Sequence, residues 1–259
     1  PAACLHSGMS PAEKHEAERQ IRSGACRLIF VAPERLMSES FLRWIEPLTI
    51  RTLAVDEAHC ISHWGHDFRP DYARIDRLIA RLSPRPTVLA VTATATARVR
   101  KEIVEVAGLR EPHVSLRGIY RPNLRIAIST DTSKRERIGG ILEVASWARG
   151  GSVIVYAGTR KRSEELADVL TGAGHRAAAY HAGLDAAVRA TRQDRFNCGE
   201  IPIICATNAF GMGIDKPDIR AVVHYRLPES LEAYYQEIGR AGRDGHRSLC
   251  LGFLGKGDV

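Results

Sequence analysis

The sequence has no apolar run near the roughly 20 residues that a helix needs to cross a bilayer, and Pro1 to Ser10 carry neither a basic start nor an apolar stretch. We therefore expect neither a membrane-spanning protein nor a secretory signal. The six cysteines are scattered and form no C-x-x-C pair, which argues against a disulfide framework and a thiolate zinc site. A reduced, cytoplasmic protein is the simplest interpretation.

Charge of either sign is not in large excess. Lys and Arg number 37 against 30 acidic residues, a net charge of +7, which is compatible with a polyanionic partner without demonstrating one. Hydrophobic residues make up 44% and charged residues 26%, as in ordinary globular proteins, so a disordered chain is not expected. A length of 259 residues allows one large domain or two of medium size.

Short apolar runs alternate with helical segments, which indicates an α/β fold. Polar residues flank each run, a pattern typical of strands buried on both faces of a parallel sheet. The alternation breaks between Gly108 and Gly151, so we expect a boundary near residue 120 and domains 1–119 and 120–259. The predicted strands are Leu28–Val31, Thr52–Val55, Val88–Val91, Ser152–Tyr156, Ile203–Ala206 and Ala221–Tyr225, and predicted helices include Pro11–Arg22, Asp71–Arg81 and Ser163–Thr171.

Two adjacent carboxylates, Asp56 and Glu57, follow the predicted strand Thr52–Val55. At the carboxyl edge of a sheet, where α/β proteins bind ligands, such a pair suits a nucleoside triphosphatase. Asp56 would then hold Mg²⁺ through water, and Glu57 would orient or deprotonate the attacking water. Taken alone, the pair is more simply explained as solvated acids at a strand end.

The neighbouring residues make the pattern specific. Asp56-Glu57-Ala58-His59 resembles motif II of superfamily 2 helicases, and Thr92-Ala93-Thr94 resembles their motif III. The hydroxyls of Thr92 and Thr94 could link the acidic pair to a moving element, although a threonine-rich loop can also cap the next helix.

The segment Cys60–Tyr72 resembles the aromatic-rich loop of RecQ helicases, which in that family senses single-stranded DNA and couples it to ATP hydrolysis. Trp64 and Phe68 offer stacking faces for bases, and Arg69 offers charge for phosphate. A zinc site remains the alternative interpretation of this segment, because four possible ligands fall at helical spacing, although the H-E-x-x-H order is absent. These ligands are His59, Cys60, His63 and His66.

The residues Pro33-Glu34-Arg35-Leu36 resemble the P-E-R-L segment of the same family, where contact with the DNA backbone is implied. The alternative interpretation, without a role in DNA binding, is a strand followed by a proline-initiated helical turn. Ala206–Lys216 resembles motif V: Thr207 is implied to bond a DNA phosphate, Gly211 and Gly213 permit close backbone approach, and Asp215 is implied to read the ribose or brace the loop.

Gln236–Gly245 resembles motif VI of the family. Arg240 and Arg243 are three residues apart and can share a helix face. An arginine fork stays charged and grips phosphate oxygens with two hydrogen bonds. In the family these arginines act as fingers on the γ-phosphate, and Gln236 belongs to the same nucleotide-binding motif.

The motifs, in this order, identify the chain as a member of the RecQ family of ATP-dependent DNA helicases. The resemblance implies two RecA-like parallel-sheet domains in tandem, 3′ to 5′ unwinding in DNA repair and recombination, and a location at the nucleoid if the source is bacterial. The implied cofactors are ATP and Mg²⁺ without zinc, and the implied partners are single-stranded and partly duplex DNA.

One family motif has no counterpart in the chain. The sequence contains no G-x-x-x-x-G-K-[ST], the loop that cradles a triphosphate. We expect that loop to lie before Pro1, which would leave the first domain incomplete and the chain inactive by itself. The alternatives are a naturally shortened, non-catalytic DNA- or partner-binding module and a superfamily 2 ATPase that acts on RNA, which the aromatic-rich loop disfavours.

Overall fold

The structure is a computed structural model that describes residues 1–6, 8–63, 68–116, 118, 120–148, 150–211 and 214–255. It divides into two compact units, Pro1–Leu116 and Arg117–Val259. Each unit is built from parallel strands and helices, which confirms the predicted α/β class. Within the described ranges, no helix is long and apolar enough to cross a membrane.

The described part of the first unit contains two parallel two-stranded sheets, β1 with β2 and β3 with β4. Its first helix begins at a capping box, because the Ser10 hydroxyl accepts from the Glu13 N–H while the Glu13 carboxylate accepts from the Ser10 N–H. The elements are β1 (Ala2–Leu5), α1 (Pro11–Arg22), β2 (Leu28–Val31), α2 (Glu39–Ile45), β3 (Thr52–Val55), α3 (Ile75–Arg81), β4 (Thr87–Ala90) and α4 (Ala97–Val106), with 3₁₀ turns at Pro33–Met37, Ala58–Ile61 and Tyr72–Arg74.

Only one face of these two sheets is buried. Leu5, Val55 and their alternate neighbours pack with the helices in one core. On the other face Leu28 is 53%, Phe30 56% and Leu89 51% exposed. The prediction that strands of the first half are buried on both faces is therefore wrong, because the helices of the described core cover a single face.

Among its described residues, the second unit contains a six-stranded, fully parallel sheet in the order β5-β10-β9-β6-β8-β7. Its central strands β6, β8 and β9 are buried between two cores, one on each face of the sheet, as predicted. The elements are β5 (Leu124–Ser129), α5 (Lys134–Trp147), β6 (Ser152–Tyr156), α6 (Arg160–Gly172), β7 (Ala177–Tyr180), α7 (Ala186–Asn197), β8 (Ile203–Ala206), β9 (Ile219–His224), α8 (Leu231–Ile238) and β10 (Ser248–Phe253).

Differences from the predicted elements have local causes. The predicted helix Asp71–Arg81 begins as a 3₁₀ turn and becomes α-helical only at Ile75. The strands β1 (Ala2–Leu5) and β7 (Ala177–Tyr180) were not predicted, because both are rich in alanine, which has a low strand propensity.

Candidate functional site

The acidic pair of the first unit lies in a tight turn at the carboxyl end of β3. Glu57 has φ +49° and ψ +44°, a left-handed conformation that is uncommon for a residue other than glycine. Its N–H donates to Oδ1 of Asp56 at 2.9 Å. Both carboxylates are exposed, while the next residue, Ala58, donates its N–H to the Val91 carbonyl at 2.9 Å. The turn thus presents both acids to solvent from a backbone that is hydrogen-bonded to the residue following β4.

His59 links this turn to the threonine segment that follows β4. The imidazole is buried, and its Nδ1 lies 2.9 Å from Oγ1 of Thr92 and 3.3 Å from Oε2 of Glu57. The Thr92 hydroxyl also lies 3.1 Å from the Thr94 carbonyl, to which it can donate when His59 Nδ1 supplies the hydrogen of the bond to Thr92. Thr94 contributes through its backbone, since its buried hydroxyl has no hydrogen-bond partner among the described residues.

The stem of the predicted aromatic-rich loop is closed by two contacts. The Arg69 N–H donates to the Cys60 carbonyl at 3.0 Å, and the rings of His63 and Phe68 stack with centroids 3.9 Å apart. Phe68 and Arg69 are half-buried. The predicted base-stacking residue Trp64, together with His66, lies outside the described residues.

The Pro33–Met37 turn follows β2 directly, as a proline-initiated 3₁₀ helix. Glu34 is exposed and Pro33 is half-buried. The Arg35 guanidinium lies 5.4 Å from the centre of the Phe41 ring. That contact is an internal cation–π packing, so the predicted DNA contact of Arg35 would have to share the side chain with a structural role.

Thr207 lies immediately after β8 in the second unit. Its N–H donates to the Tyr180 carbonyl at 3.1 Å, which ties the loop to the end of β7, and its hydroxyl accepts from the Ala209 N–H at 3.4 Å. Gly213 lies outside the described residues. The threonine is half-buried at the carboxyl edge of the sheet, where its hydroxyl can reach a ligand.

The two arginines of the second unit have different surroundings. Arg240 is half-buried and donates to the Gly211 carbonyl, while Arg243 is 39% exposed and forms a 2.7 Å ion pair with Asp215. Asp215 is 88% exposed, and Gln236 is half-buried on α8. The structure therefore brings Asp215 and Arg243 together and turns Arg240 towards the loop after β8.

A buried polar cluster behind Arg240 was not predicted. The Tyr156 hydroxyl donates to the Phe210 carbonyl at 3.1 Å, and burial raises the pKa of that hydroxyl far above its ordinary range although Arg240 opposes the shift. The His224 ring stacks on Tyr156 at 5.2 Å, and its Nε2 lies 2.7 Å from Oε2 of Glu237. Polar residues at the ends of otherwise apolar strands were the only sequence signal for this cluster.

The zinc alternative has no support in the described part of the chain. His59 and Cys60 touch, with Nε2 3.7 Å from Sγ, while His63 stacks on Phe68 instead of joining them. No group of three or more His, Cys, Asp or Glu side chains among the described residues could hold a metal ion. An exposed single carboxylate such as Asp56 suits a magnesium ion that keeps most of its waters.

Comparison with known proteins matches both units. Residues 2–103 match the DEAD/DEAH box helicase family, and residues 133–245 match the helicase conserved C-terminal domain. The chain is 39% identical to the ATP-dependent DNA helicase RecQ of Bacillus subtilis over 258 residues, covering 100% of the chain. It is 43% identical to the ATP-dependent DNA helicase Q-like 4B of Arabidopsis thaliana, covering 96% of the chain. The chain belongs to the RecQ family of DEAD/DEAH-box helicases.

The match to RecQ proteins covers only part of each relative. The chain spans 43% of the Bacillus subtilis RecQ and 22% of the Arabidopsis protein. Solved structures support the fold: a TM-score of 0.73 at 18% identity relates the chain to yeast Dbp5 bound to RNA and ADP BeF3, covering 99% of this chain and 72% of that one. The DUF1998 helicase MrfA, bound to DNA and AMPPNP, gives a TM-score of 0.74 at 18% identity, and the match covers 98% of this chain and 37% of the MrfA chain. The two units are thus RecA-like domains.

Proposed function

We propose that the chain is the core of a RecQ-type helicase that couples ATP hydrolysis to 3′ to 5′ movement along single-stranded DNA and to duplex unwinding. The observation that carries the proposal is the turn after β3, where exposed Asp56 and Glu57 are joined through buried His59 to Thr92. An exposed acid is suited to activate water, and its connection through buried His59 allows a movement of the Thr92 loop to change the position of that acid.

Within this proposal the first unit supplies the water-activating chemistry. Asp56 would hold Mg²⁺ through water, and Glu57 would orient or deprotonate the attacking water. Thr92 and Thr94 would couple hydrolysis to movement. Magnesium, when bound, would neutralise phosphate charge beside these carboxylates.

The second unit would bind phosphate through its arginines. Arg243 is the better placed finger, because its fork is solvent-accessible and its partner Asp215 is highly exposed, so phosphate oxygens can replace that partner. Arg240 would hold the Gly211 backbone in place as well as approach phosphate. Gly213, Asp215 and Gln236 complete the proposed nucleotide-binding set.

Single-stranded DNA is the proposed nucleic-acid partner, with partly duplex DNA as the substrate for unwinding. The DNA-contacting residues would be those at the carboxyl ends of β2 and β8 together with the aromatic-rich loop: Pro33, Glu34, Arg35, Trp64, Phe68, Arg69 and Thr207. Relatives that are named DNA helicases support DNA over RNA. A cytoplasmic location and a role in repair and recombination are proposed on family resemblance alone.

The decisive test is Glu57→Gln in a longer protein that joins this chain to a G-x-x-x-x-G-K-[ST] segment. Loss of the carboxylate should lower DNA-stimulated ATP turnover by at least ~10²-fold, because a positioned general base contributes on that order. ATP affinity, measured by calorimetry, should change little. Glu105→Gln on the exposed face of α4 is the matched control.

Two outcomes would contradict the proposal. Undiminished turnover in Glu57→Gln would remove Glu57 from the chemistry. Failure of the parent protein to unwind duplexes with a 3′ single-stranded tail would favour the alternative of a non-catalytic DNA- or partner-binding module, an alternative that the absence of G-x-x-x-x-G-K-[ST] from this sequence keeps open.

A further inference from the structure

Glu102 makes an unusual pair of contacts for an acid on a helix of the first unit. Both of its carboxylate oxygens face the stem of the aromatic-rich loop. The Ser62 hydroxyl donates to Oε2 at 2.5 Å, and the His63 N–H points to Oε1 at 3.4 Å. Ser62 is fully buried, so its hydroxyl depends on protein partners such as this carboxylate.

The same helix is fixed to the threonine segment after β4. Thr96 caps α4, its hydroxyl accepting from the Val99 N–H at 3.3 Å, and the Arg100 guanidinium donates to the Ala95 carbonyl at 2.8 Å. Val99 and Ile103 anchor the helix in the core of the unit. A displacement of Glu102 therefore acts on a helix whose first turn is bonded to residues 95 and 96.

From these contacts we infer that Glu102 is a positioning residue that clamps the stem of the aromatic-rich loop and connects it to Thr92–Thr96. It acts in parallel with the His59–Thr92 bond, which ties the residue just before the loop to the same threonine segment, whereas Glu102 ties Ser62 of the loop stem to α4. This inference rests on the proposed function of the loop in sensing DNA.

The other acid of α4 does not share this arrangement. Glu105 lies one turn further along the helix, is 63% exposed, and pairs with Lys101 at 3.8 Å. Such a surface pair contributes little. Glu105→Ala is therefore a matched control that removes a carboxylate from the same helix without touching the loop stem.

The first experiment measures amide hydrogen exchange in the DNA-free chain. In Glu102→Ala, exchange at Ser62, His63 and Arg69 should accelerate about 10-fold, because the local opening that exposes these amides loses a charge-assisted bond. In Glu102→Gln, the exchange rates should lie between those of the parent and of Glu102→Ala. The amide oxygen of the glutamine can accept from the Ser62 hydroxyl, while its NH₂ group cannot accept from the His63 N–H. Glu105→Ala should exchange like the parent chain.

The DNA-free result decides whether the clamp exists. Unchanged exchange in Glu102→Ala, or equal acceleration in Glu105→Ala, would overturn it. If Glu102→Ala unfolds, as judged by a lost thermal transition, Glu102→Gln replaces it: accelerated exchange at His63 in that variant supports the clamp, and parent-like exchange overturns it.

The second experiment adds a 20-nucleotide oligothymidylate and follows residues 60–63 together with residues 92–96. In the parent chain DNA should slow exchange in both segments. In Glu102→Ala, DNA should still slow exchange in the loop stem, but its effect on residues 92–96 should fall by at least half. Replacing a residue with a purely structural role would leave the effect of DNA on residues 92–96 unchanged.

The two experiments separate the inference from the proposed function. An undiminished DNA effect at residues 92–96 in Glu102→Ala would overturn the connecting role. No DNA effect in the parent chain would overturn the DNA-sensing function and the connecting role with it, while the clamp would still be judged by the DNA-free measurement.

Discussion

At the scale of single residues, the two proposed acids and the proposed finger Arg243 are exposed, Arg240 is half-buried, and polar side chains behind the acids and behind Arg240 are buried. Asp56 and Glu57 face solvent, while His59 behind them is buried and bonded to Thr92. In the second unit, Arg243 is exposed and paired with Asp215, and the buried Tyr156 cluster lies behind Arg240. Pre-organisation of this kind keeps a reactive group in place at a small entropic cost on binding.

Tyr156→Phe tests the buried support of the second unit. The substitution leaves the Phe210 carbonyl without the Tyr156 hydroxyl, so the free energy of unfolding should fall by about 1–2 kcal/mol, the usual cost of a lost buried hydrogen bond. Urea unfolding followed by circular dichroism measures the change. Tyr180→Phe is the control, because its hydroxyl makes only a 3.4 Å contact with Gln193. Equal losses in both variants would rule out a special role for Tyr156.

Asp244 should make stability depend on pH. Two 2.7 Å contacts from Arg220 Nη2, helped by the His246 N–H, hold the pKa of this carboxyl well below its ordinary range. A lowered pKa in the folded state stabilises the protein above the unfolded pKa of about 4, and this stabilisation is lost as the pH falls towards the folded pKa.

The Asp244→Asn variant reads out this effect directly. Above about pH 5 the variant should be less stable than the parent by a constant difference in unfolding free energy. Below about pH 4 that difference should shrink, because protonation of Asp244 in the parent removes the stabilising interaction with Arg220. Urea titrations from pH 3 to 7 provide the measurement, with Asp168→Asn on the exposed face of α6 as control. A deficit that grows on acidification would contradict the assignment.

At the scale of elements, the two sheets differ in how much of them is covered. The second sheet is packed on both faces, whereas β2 and β4 of the first unit expose Leu28, Phe30 and Leu89 to solvent. Parallel strands are normally covered on both faces. An exposed apolar strand face is prone to association with other chains.

Replacing Phe30 by Ser should therefore reduce self-association without unfolding the first unit, because this side chain is 56% exposed and contributes little to the core. Sedimentation velocity across a concentration series should show a weaker rise in mean sedimentation coefficient than for the parent. Ile29→Ser is the control on the other face of the same strand. It should cost more than about 2 kcal/mol, because Ile29 packs against the core. If Phe30→Ser and the parent self-associated equally, the exposed face of β2 would not be the cause of the association.

At the scale of the whole molecule, the sequence contains Glu57, the carboxylate proposed to activate water, together with the aromatic-rich loop and the two arginines, but no segment of the G-x-x-x-x-G-K-[ST] type. The net charge of +7 favours association with a polyanion. Binding of DNA and hydrolysis of ATP should therefore separate in the 259-residue chain.

We expect the purified 259 residues to bind single-stranded oligonucleotides, with affinity that falls as salt rises, and to hydrolyse ATP negligibly. Fluorescence anisotropy at several salt concentrations measures the binding, and a coupled assay with and without DNA measures the hydrolysis. Glu57→Gln is the background control for contaminating ATPase. DNA-stimulated hydrolysis above that background would refute this expectation.

The sequence by itself determined the α/β class, several strand bounds and the family, because buried strands and motif residues are encoded locally by apolar runs and fixed spacings. Leu28–Val31, Thr52–Val55 and Ser152–Tyr156 were predicted with the bounds they have. The roles proposed for Asp56, Thr207 and the arginines stay predictions, since sequence spacing cannot show what those side chains bind.

Only the tertiary structure decided which side chains meet. The pairing of Ser62 with Glu102 joins residues 40 positions apart, and that of Tyr156 with Phe210 joins residues 54 apart. No periodicity signals such contacts, because they arise from the packing of separate elements. The exposed face of β2 could not be predicted for the same reason. An apolar run indicates that a strand favours burial, but whether the strand is covered depends on which other elements pack against it.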